Sequence, residues 1–257
     1  MEPNNEISFC PLESRRFNCR IYRGTLTDID TTAIKAFISN NRPDVLILRV
    51  PCGLKEEHYK LLETGFPVVH CDTLVNYFCS LRTLPVAALR NKLQFHLVNR
   101  ETSALIAELT AVIFADYKNH YSSNPHLKKE LILDGYKEWA GSFVHELDSN
   151  KFGWYVTLED DAVAFALCSS TGENTCEGVL YGVKSEFSGK GIYSDLVRFT
   201  QNFFKEKGMK TMKVSTQVQN YSVQKAWTKE GFTLKEAYDT YHINCFLSNA
   251  DNNNTAE

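Results

Sequence analysis

Leu180-Tyr181-Gly182-Val183-Lys184-Ser185-Glu186-Phe187-Ser188-Gly189-Lys190-Gly191-Ile192-Tyr193 decides how this chain is read. A strand-like apolar run enters a loop with two glycines. The loop opens a helix in which Ile192, Leu196, Phe199 and Phe203 recur at helical spacing. At such a junction, backbone N–H groups and the positive end of the helix dipole converge on one point. That is an anion site suited to a pyrophosphate. Gly189 and Gly191 let the backbone approach closely. The loop is not G-x-x-x-x-G-K-[ST], and two glycines fall short of the three-glycine dinucleotide fingerprint. Taken alone, the segment fits a tight turn as well as a phosphate cradle.

Working outward, the second half of the chain alternates strands and helices. Residues 93–98 form a strand, and residues 103–117 a helix with Leu105, Leu109, Val112 and Ile113 on one face. Residues 118–125 are a polar loop. Residues 127–147 are helical, although Gly135 and Gly141 weaken the pattern. Residues 154–158 and 162–168 pair as a hairpin around Glu159-Asp160-Asp161, and 176–183 is a further strand. The glycine-loop helix stops at Lys207-Gly208. A strand over 212–218, a helix over 221–229 closed by Gly231, and a strand over 232–246 follow.

Before residue 85 the order is strand (17–26), helix (28–40), strand (44–50), helix (54–64) and strand (66–81), a small α/β unit. Residues 82–92 connect the two regions. The expected domains are therefore 1–85 and 91–247, with a disordered tail over 248–257 that carries three consecutive asparagines. Leu62-Glu63-Thr64-Gly65-Phe66 echoes Thr228-Lys229-Glu230-Gly231-Phe232, a helix–Gly–strand join common enough to arise by chance.

Composition narrows the class. In 257 residues, 43% are hydrophobic, enough for a sizeable core. A net charge of −3 argues against nonspecific nucleic-acid binding. No apolar run approaches the roughly 20 residues of a membrane helix, and the N-terminus lacks a signal-peptide pattern, so a cytoplasmic protein is expected. The eight cysteines include no C-x-x-C pair and the seven histidines no H-E-x-x-H, so buried reduced thiols are expected and no metal site.

The element after the glycine loop adds weight. Strand 212–218 leads into Gln217, Asn220, Val223, Trp227 and Gly231-Phe232. This order of strand, G-K-G loop, helix, strand, Asn, short helix and Gly-Phe resembles the GNAT superfamily of CoA-dependent N-acyltransferases. Gln217, Asn220, Ala237-Tyr238, Tyr136 and Trp139, with the small α/β unit ahead of them, resemble the branch that acylates nucleotide-linked amino sugars, such as the TDP-fucosamine N-acetyltransferases. The resemblance spans most of residues 7–246 and is strongest over 176–245. It implies an α/β GNAT fold: a central mixed, largely antiparallel sheet flanked by helices, behind a small α/β N-terminal domain.

It also implies roles. Ser188, Gly189, Lys190, Gly191, Ile192 and Tyr193 would hold the CoA pyrophosphate. The family usually has Gln or Arg where Ser188 stands, and Gly or Ala where Tyr193 stands. The N–H of Val183 would polarise the thioester carbonyl. Asn220 would orient CoA or its sulfur, a role compatible with helix capping. Relatives carry a tyrosine at the position of Trp227 that protonates the leaving thiolate, and an indole has no acidic proton to give. Tyr193, Tyr238 and Tyr241 are candidate replacements, each also a plausible packed aromatic.

Glu177 is the sharpest candidate base, placed by period-2 alternation on the same strand face as Val183. A solvated or salt-bridged carboxylate is its plainer reading, and a structural histidine the plainer reading of His242. His120, Tyr121, Tyr136 and Trp139 are candidate acceptor-site residues, the last two equally suited to core packing. The implied reaction moves an acetyl or 3-hydroxybutanoyl group from acyl-CoA to an amine at C3 or C4 of a dTDP-linked amino-dideoxy sugar, for surface polysaccharide. Acyl-CoA enters as co-substrate, with no tightly bound cofactor. Relatives often pair as homodimers. Acylation of a protein or peptide amine, or noncatalytic acyl-CoA binding, are the rival functions.

Overall fold

The computed structural model describes residues 5–247, so the expected tail over 248–257 lies outside the described residues. The chain divides into two compact units. Unit 1 holds residues up to 74, 118–132 and those from 236 onward; unit 2 holds 75–117 and 133–235. The boundary expected near residue 85 thus falls inside unit 2, and unit 1 recruits two later segments.

Unit 1 is built on β3 (Val45–Pro51), whose Val45, Leu46, Ile47 and Leu48 are fully buried. Such a run suits a strand covered on both faces. It pairs in parallel with β2 (Ile21–Thr25) and antiparallel with β10 (Thr233–Asn244). The first residues of β4 (Val68–Ser80) complete this side, and β1 (Ile7–Phe9) edges β2. Helix α2 (Thr31–Asn41) begins where the Asp30 carboxylate accepts from the Thr32 and Ala33 N–H groups at 2.9 and 3.0 Å. Its Ile34 and Ile38 pack with Leu46, Leu48, Val50 and Leu61.

Two local expectations are corrected here. The strand expected from residue 17 starts at Ile21, because Pro11 opens a short helix α1 (Pro11–Phe17) that Asn18 ends in a left-handed conformation. No α1 residue is buried, so no apolar period marked it. The helix expected over 54–64 is 3₁₀ over Cys52–Thr64.

Unit 2 takes the end of β4, then β9 (Thr211–Gln217), β8 (Thr175–Val183), β7 (Asp161–Ser170), β6 (Lys151–Leu158) and β5 (Gln94–Leu97) in that spatial order. The β5–β8 neighbours are antiparallel, while β8 and β9 are parallel. Glu159 and Asp160, both at positive φ (51° and 70°), make the tight β6–β7 turn. One face packs on α3 (Ser103–Ile113) and α4 (Glu130–His145) through Phe165, Leu167, Leu180, Ile106, Leu109 and Phe143. Helix α5 (Ile192–Glu206) covers the other face, where Trp154 meets Phe199 and Phe203 edge-on. Helix α6 (Tyr221–Lys229) follows β9. This mixed, mostly antiparallel sheet flanked by helices is the expected architecture.

Unit 1 also buries two histidines. His242 on β10 and His120 on a 3₁₀ turn (His120–Ser123) sit ring to ring, Nε2 to Nδ1, at 2.8 Å. The Asn124 amide donates to His242 Nδ1 (3.1 Å) and to Asn244 Oδ1 (2.8 Å). His242 therefore carries its proton on Nε2 and donates to His120. Burial, reinforced by the Arg23 charge, pushes His242 down to about 3. Burial, then His242, Arg23 and Arg49, hold His120 well below the usual imidazole value. The unfolded chain takes up these two protons below a pH of about 6.5 and the folded chain does not. Stability is thus full above that pH and falls as the pH drops. Denaturant unfolding at pH 7.5 and 5.5 should differ by about 2–3 kcal/mol, and by roughly half that in His242→Gln. An unchanged midpoint would contradict the neutral pair.

Candidate active site

The glycine loop reaches α5 as expected. The Lys184 N–H closes the β7 ladder on the Val163 carbonyl at 2.9 Å, and a 3₁₀ turn (Ser185–Phe187) follows. Gly189 (φ +76°) and Gly191 (φ +82°) are both left-handed, and Gly191 is the N-terminal cap of α5. No side chain caps that end. The first bond back to the cap is Asp195 N–H to Gly191 O at 3.1 Å, so the N–H groups of Ile192, Tyr193 and Ser194 point out of the helix. These residues, with Ser188, Gly189 and Gly191, line a cavity of about 510 Å³. Lys190 does not line it: its ammonium lies 4.8 Å over the Phe187 ring.

A buried polar network holds this helix end. The Asp195 carboxylate, fully buried, accepts from the backbone N–H groups of Arg90 (3.0 Å) and Asn91 (2.9 Å) and from the Asn91 amide (2.8 Å). The same Asn91 amide donates to the Lys190 carbonyl at 3.1 Å, tying down the loop itself. Arg198 bonds Asp195 at 3.3 Å and clasps Glu230 with two bonds of 2.7 and 2.8 Å. The segment 82–92, expected as a connection, is thus the brace of the loop.

The cavity exists because β8 and β9 part. They pair only from Thr175–Thr211 to Gly178–Val214, although both strands continue. Beyond that point β8 is held by β7 alone. The Lys184–Val163 bond fixes which β8 groups face β7. Val183, paired with Ala164 in the intervening position, turns its N–H the opposite way, into the gap toward β9. Val183 lines the cavity there.

A bulge corrects the placement of Glu177. Cys168 pairs with Gly178 but Leu167 with Leu180, leaving Val179 without a partner. The extra residue reverses the alternation. Glu177, opposite Ser169, shares a face with Leu180 and Gly182, whereas Val183 shares one with Tyr181. Glu177 does not line the cavity.

The far wall comes from β9 and α6: Val214, Thr216, Asn220, Ala226 and Trp227. Asn220 occupies the α6 cap position without capping it; its amide donates to Thr216 Oγ1 at 3.1 Å and its carbonyl accepts from Ser222 at 3.3 Å. Tyr117, just beyond α3, also lines the cavity and bonds its hydroxyl to the Gln217 carbonyl oxygen. The Tyr181 hydroxyl donates to Thr200 Oγ1 at 2.7 Å, and burial holds this phenol well above its ordinary value. Burial likewise raises Tyr193, with the Trp227 indole N–H pulling the other way. No carboxylate, histidine or cysteine lines the cavity among the described residues.

Other expected site residues lie elsewhere. Tyr238 is buried on β10 opposite Pro51, in unit 1, and does not line the cavity; Tyr241 shares that strand and bonds His58 at 2.8 Å. The β10 strand carries both into unit 1. His120 belongs to the histidine pair, and the Tyr121 hydroxyl lies 2.5 Å from an Arg23 nitrogen and 3.1 Å from Glu13. Tyr136 stacks on Phe114 at 5.2 Å, itself a lining residue, and Trp139 meets Tyr136 edge-on from a half-exposed position. All eight cysteines are free thiols. Among the described residues no helix is long and apolar enough to cross a membrane, and no cluster of histidine, cysteine or carboxylate side chains suits a metal ion. Composition pointed to none of Tyr117, Asn91, Asp195 and Thr216. Asp195 and Arg198, both beside the apolar stripe of α5, were the one visible signal.

Residues 111–232 match the model of the acetyltransferase (GNAT) family. No curated protein matches the chain. Among solved structures, a conserved protein of unknown function from Staphylococcus epidermidis superposes with a TM-score of 0.65 at 12% identity, over 95% of this chain and 93% of that one. A GCN5-related N-acetyltransferase from Sphaerobacter thermophilus gives 0.63 at 10% identity, over 94% and 77%. A glucosamine N-acetyltransferase region of a fungal multi-domain β-N-acetylglucosaminidase gives 0.60 at 13% identity, over 93% and 31%. The fold is that of GNAT proteins, and the stretch that matches the family model is a little under half of the chain.

Replacing Gly191 by alanine puts a Cβ on a left-handed backbone, at a cost of about 1–2 kcal/mol. Part of that strain should relax by reorienting the loop N–H groups. Calorimetric titration should show CoA binding weakened about five- to tenfold in Gly191→Ala. Unaltered affinity would mean that the loop does not hold the pyrophosphate.

Proposed function

We propose that this protein transfers an acyl group from acyl-CoA directly to a primary amine, and that the amine belongs to a nucleotide-linked amino sugar. The observation that carries the transfer is the Val183 N–H facing a strand gap whose floor is an uncapped helix N-terminus. The N–H groups of Ile192, Tyr193 and Ser194 would take the pyrophosphate. The pantetheine arm would enter between β8 and β9 and use the strand-edge groups left unpaired there. The thioester carbonyl would then accept from Val183, where negative charge develops as the amine attacks. Asn220, freed from capping, would orient the arm near the sulfur. Both substrates bind together, and no covalent enzyme intermediate is needed.

The acceptor reading rests on the resemblance carried by Gln217, Asn220, Tyr136 and Trp139. A structural neighbour named for glucosamine acylation adds to it. Tyr136 and Trp139, one ring removed from the cavity through Phe114, would line the approach of the sugar nucleotide. Placement in the cytoplasm, a homodimer and a product destined for surface polysaccharide belong to the same reading. Glu177 lies off the cavity, so water rather than this carboxylate takes the amine proton.

The test is free-thiol release from acetyl-CoA and 3-hydroxybutanoyl-CoA, with and without a panel of dTDP-3-amino and dTDP-4-amino dideoxy sugars. Sugar-dependent release is expected, with Glu177→Gln keeping its rate within about threefold, far from the 10²-fold loss of a true base. Release only with peptide amines would replace the sugar by a protein acceptor. CoA binding without release to any amine would leave a binding module.

A further inference from the structure

We propose that Ile113 closes the acyl end of the cavity, so that the donor is acetyl-CoA and a longer acyl group such as 3-hydroxybutanoyl is refused. The proposal rests on the acyl-transfer reading above. It begins at Gly182, whose peptide bond to Val183 carries the N–H assigned to the thioester. Gly182 shares a face with Leu180, the face that packs on α3 and α4. A Cβ built on Gly182 would meet Ile113 Cγ2 at 2.7 Å, Ile113 Cδ1 at 3.2 Å and Phe114 Cε2 at 3.2 Å. The isoleucine therefore occupies the space that a side chain at position 182 would fill. Gly182, Ile113, Phe114 and Tyr117 all line the cavity beside Val183.

The direction of the acyl chain follows from the shape of the thioester. Its carbon is planar, with oxygen, sulfur and the acyl chain spread around it. With the oxygen on the Val183 N–H, in the gap between the parted strands, sulfur and the acyl chain leave on opposite sides. The pyrophosphate end lies at the N-terminus of α5, so sulfur lies toward the α5 face. The acyl chain then points to the α3 face, where Ile113 stands.

That wall is stiff. Ile113 is the last residue of α3, and a β-branched side chain on a helix keeps one strongly preferred χ1 rotamer. Behind it Phe114 is buried, stacked on Tyr136 at 5.2 Å and set edge-on to Tyr117 at 5.2 Å. Tyr117 is itself held by its bond to Gln217. A wall packed in this way admits extra carbons only through off-rotamer side chains or backbone shifts. The acetyl methyl ends beside the N–H, whereas each further carbon runs toward Ile113.

Calorimetric titration with acyl-CoA, in the absence of any amine, reads the pocket without turnover. Wild type should bind butanoyl-CoA and 3-hydroxybutanoyl-CoA at least about tenfold more weakly than acetyl-CoA. Ile113→Ala should bring the longer donors within about threefold of acetyl-CoA, with affinity for unacylated CoA unchanged. Ile113→Val, a milder change to the packing, should relax the preference by about two- to threefold. Adding Gly182→Ala to Ile113→Ala refills the space, with the Phe114 ring giving by a few tenths of an ångström. The double variant should regain at least about threefold of the preference for acetyl-CoA. A wild type that binds long and short donors equally overturns the proposal and leaves the acyl-transfer reading standing. So does a preference that persists undiminished in Ile113→Ala and Ile113→Val variants that still bind CoA. A wild type that binds no CoA overturns both. The expected order of affinities without transfer to any amine bears out the pocket and ends the transfer reading.

Discussion

The parting of β8 from β9 after Gly178 and Val214 is the constraint on which the site depends. Parallel strands normally satisfy each other's N–H and C=O groups along their whole length. Here several residues of each strand run on unpaired, and the space between them becomes the cavity. The bulge at Val179 accompanies the departure: it bends β8, adds twist and resets which groups face β7. Without the parting, the Val183 N–H would be spent on a sheet hydrogen bond.

An open strand pair needs bracing. Leu180 and Gly182 pack toward α3 and α4; a Cβ on Gly182 would meet Ile113 at 2.7 Å, so that approach is already at its limit. On the opposite face the Asp195–Arg198–Glu230 network locks α5 to the end of α6 and to residues 90–91. Every member is buried. Removing one partner would strand a charge at a cost of about 3–5 kcal/mol, so the loop and the helix end move together or not at all. The position of Gly191 is thereby set by Asn91 and Asp195, which bond its loop and its carbonyl.

Much of this was legible in the residues. The apolar run 45–48, the stripe on α5 and the Gly-Phe join at 231–232 each fixed an element whose type the structure retains. The G-K-G loop located the helix N-terminus, because glycine takes the two left-handed positions without the steric cost that other residues carry. What stayed hidden is long-range or irregular. A bulge leaves no periodic mark, and it alone reversed the face assigned to Glu177. Helix α1 buries no residue, so it had no period to detect. Tyr238 looked like a neighbour of the chemistry until β10 carried it into unit 1. Asp195 needed backbone partners from residues 90 and 91, a pairing that no local pattern specifies.

The central claim is that the unpaired Val183 N–H does the work at the thioester. Val183→Pro removes that one donor, and because the N–H serves no sheet bond the ladder to β7 keeps its partners. The measurement is kcat for thiol release beside the CoA dissociation constant, on wild type and variant. The account predicts kcat lower by about 10²–10³-fold with CoA affinity held. A variant that turns over at the wild-type rate would contradict it.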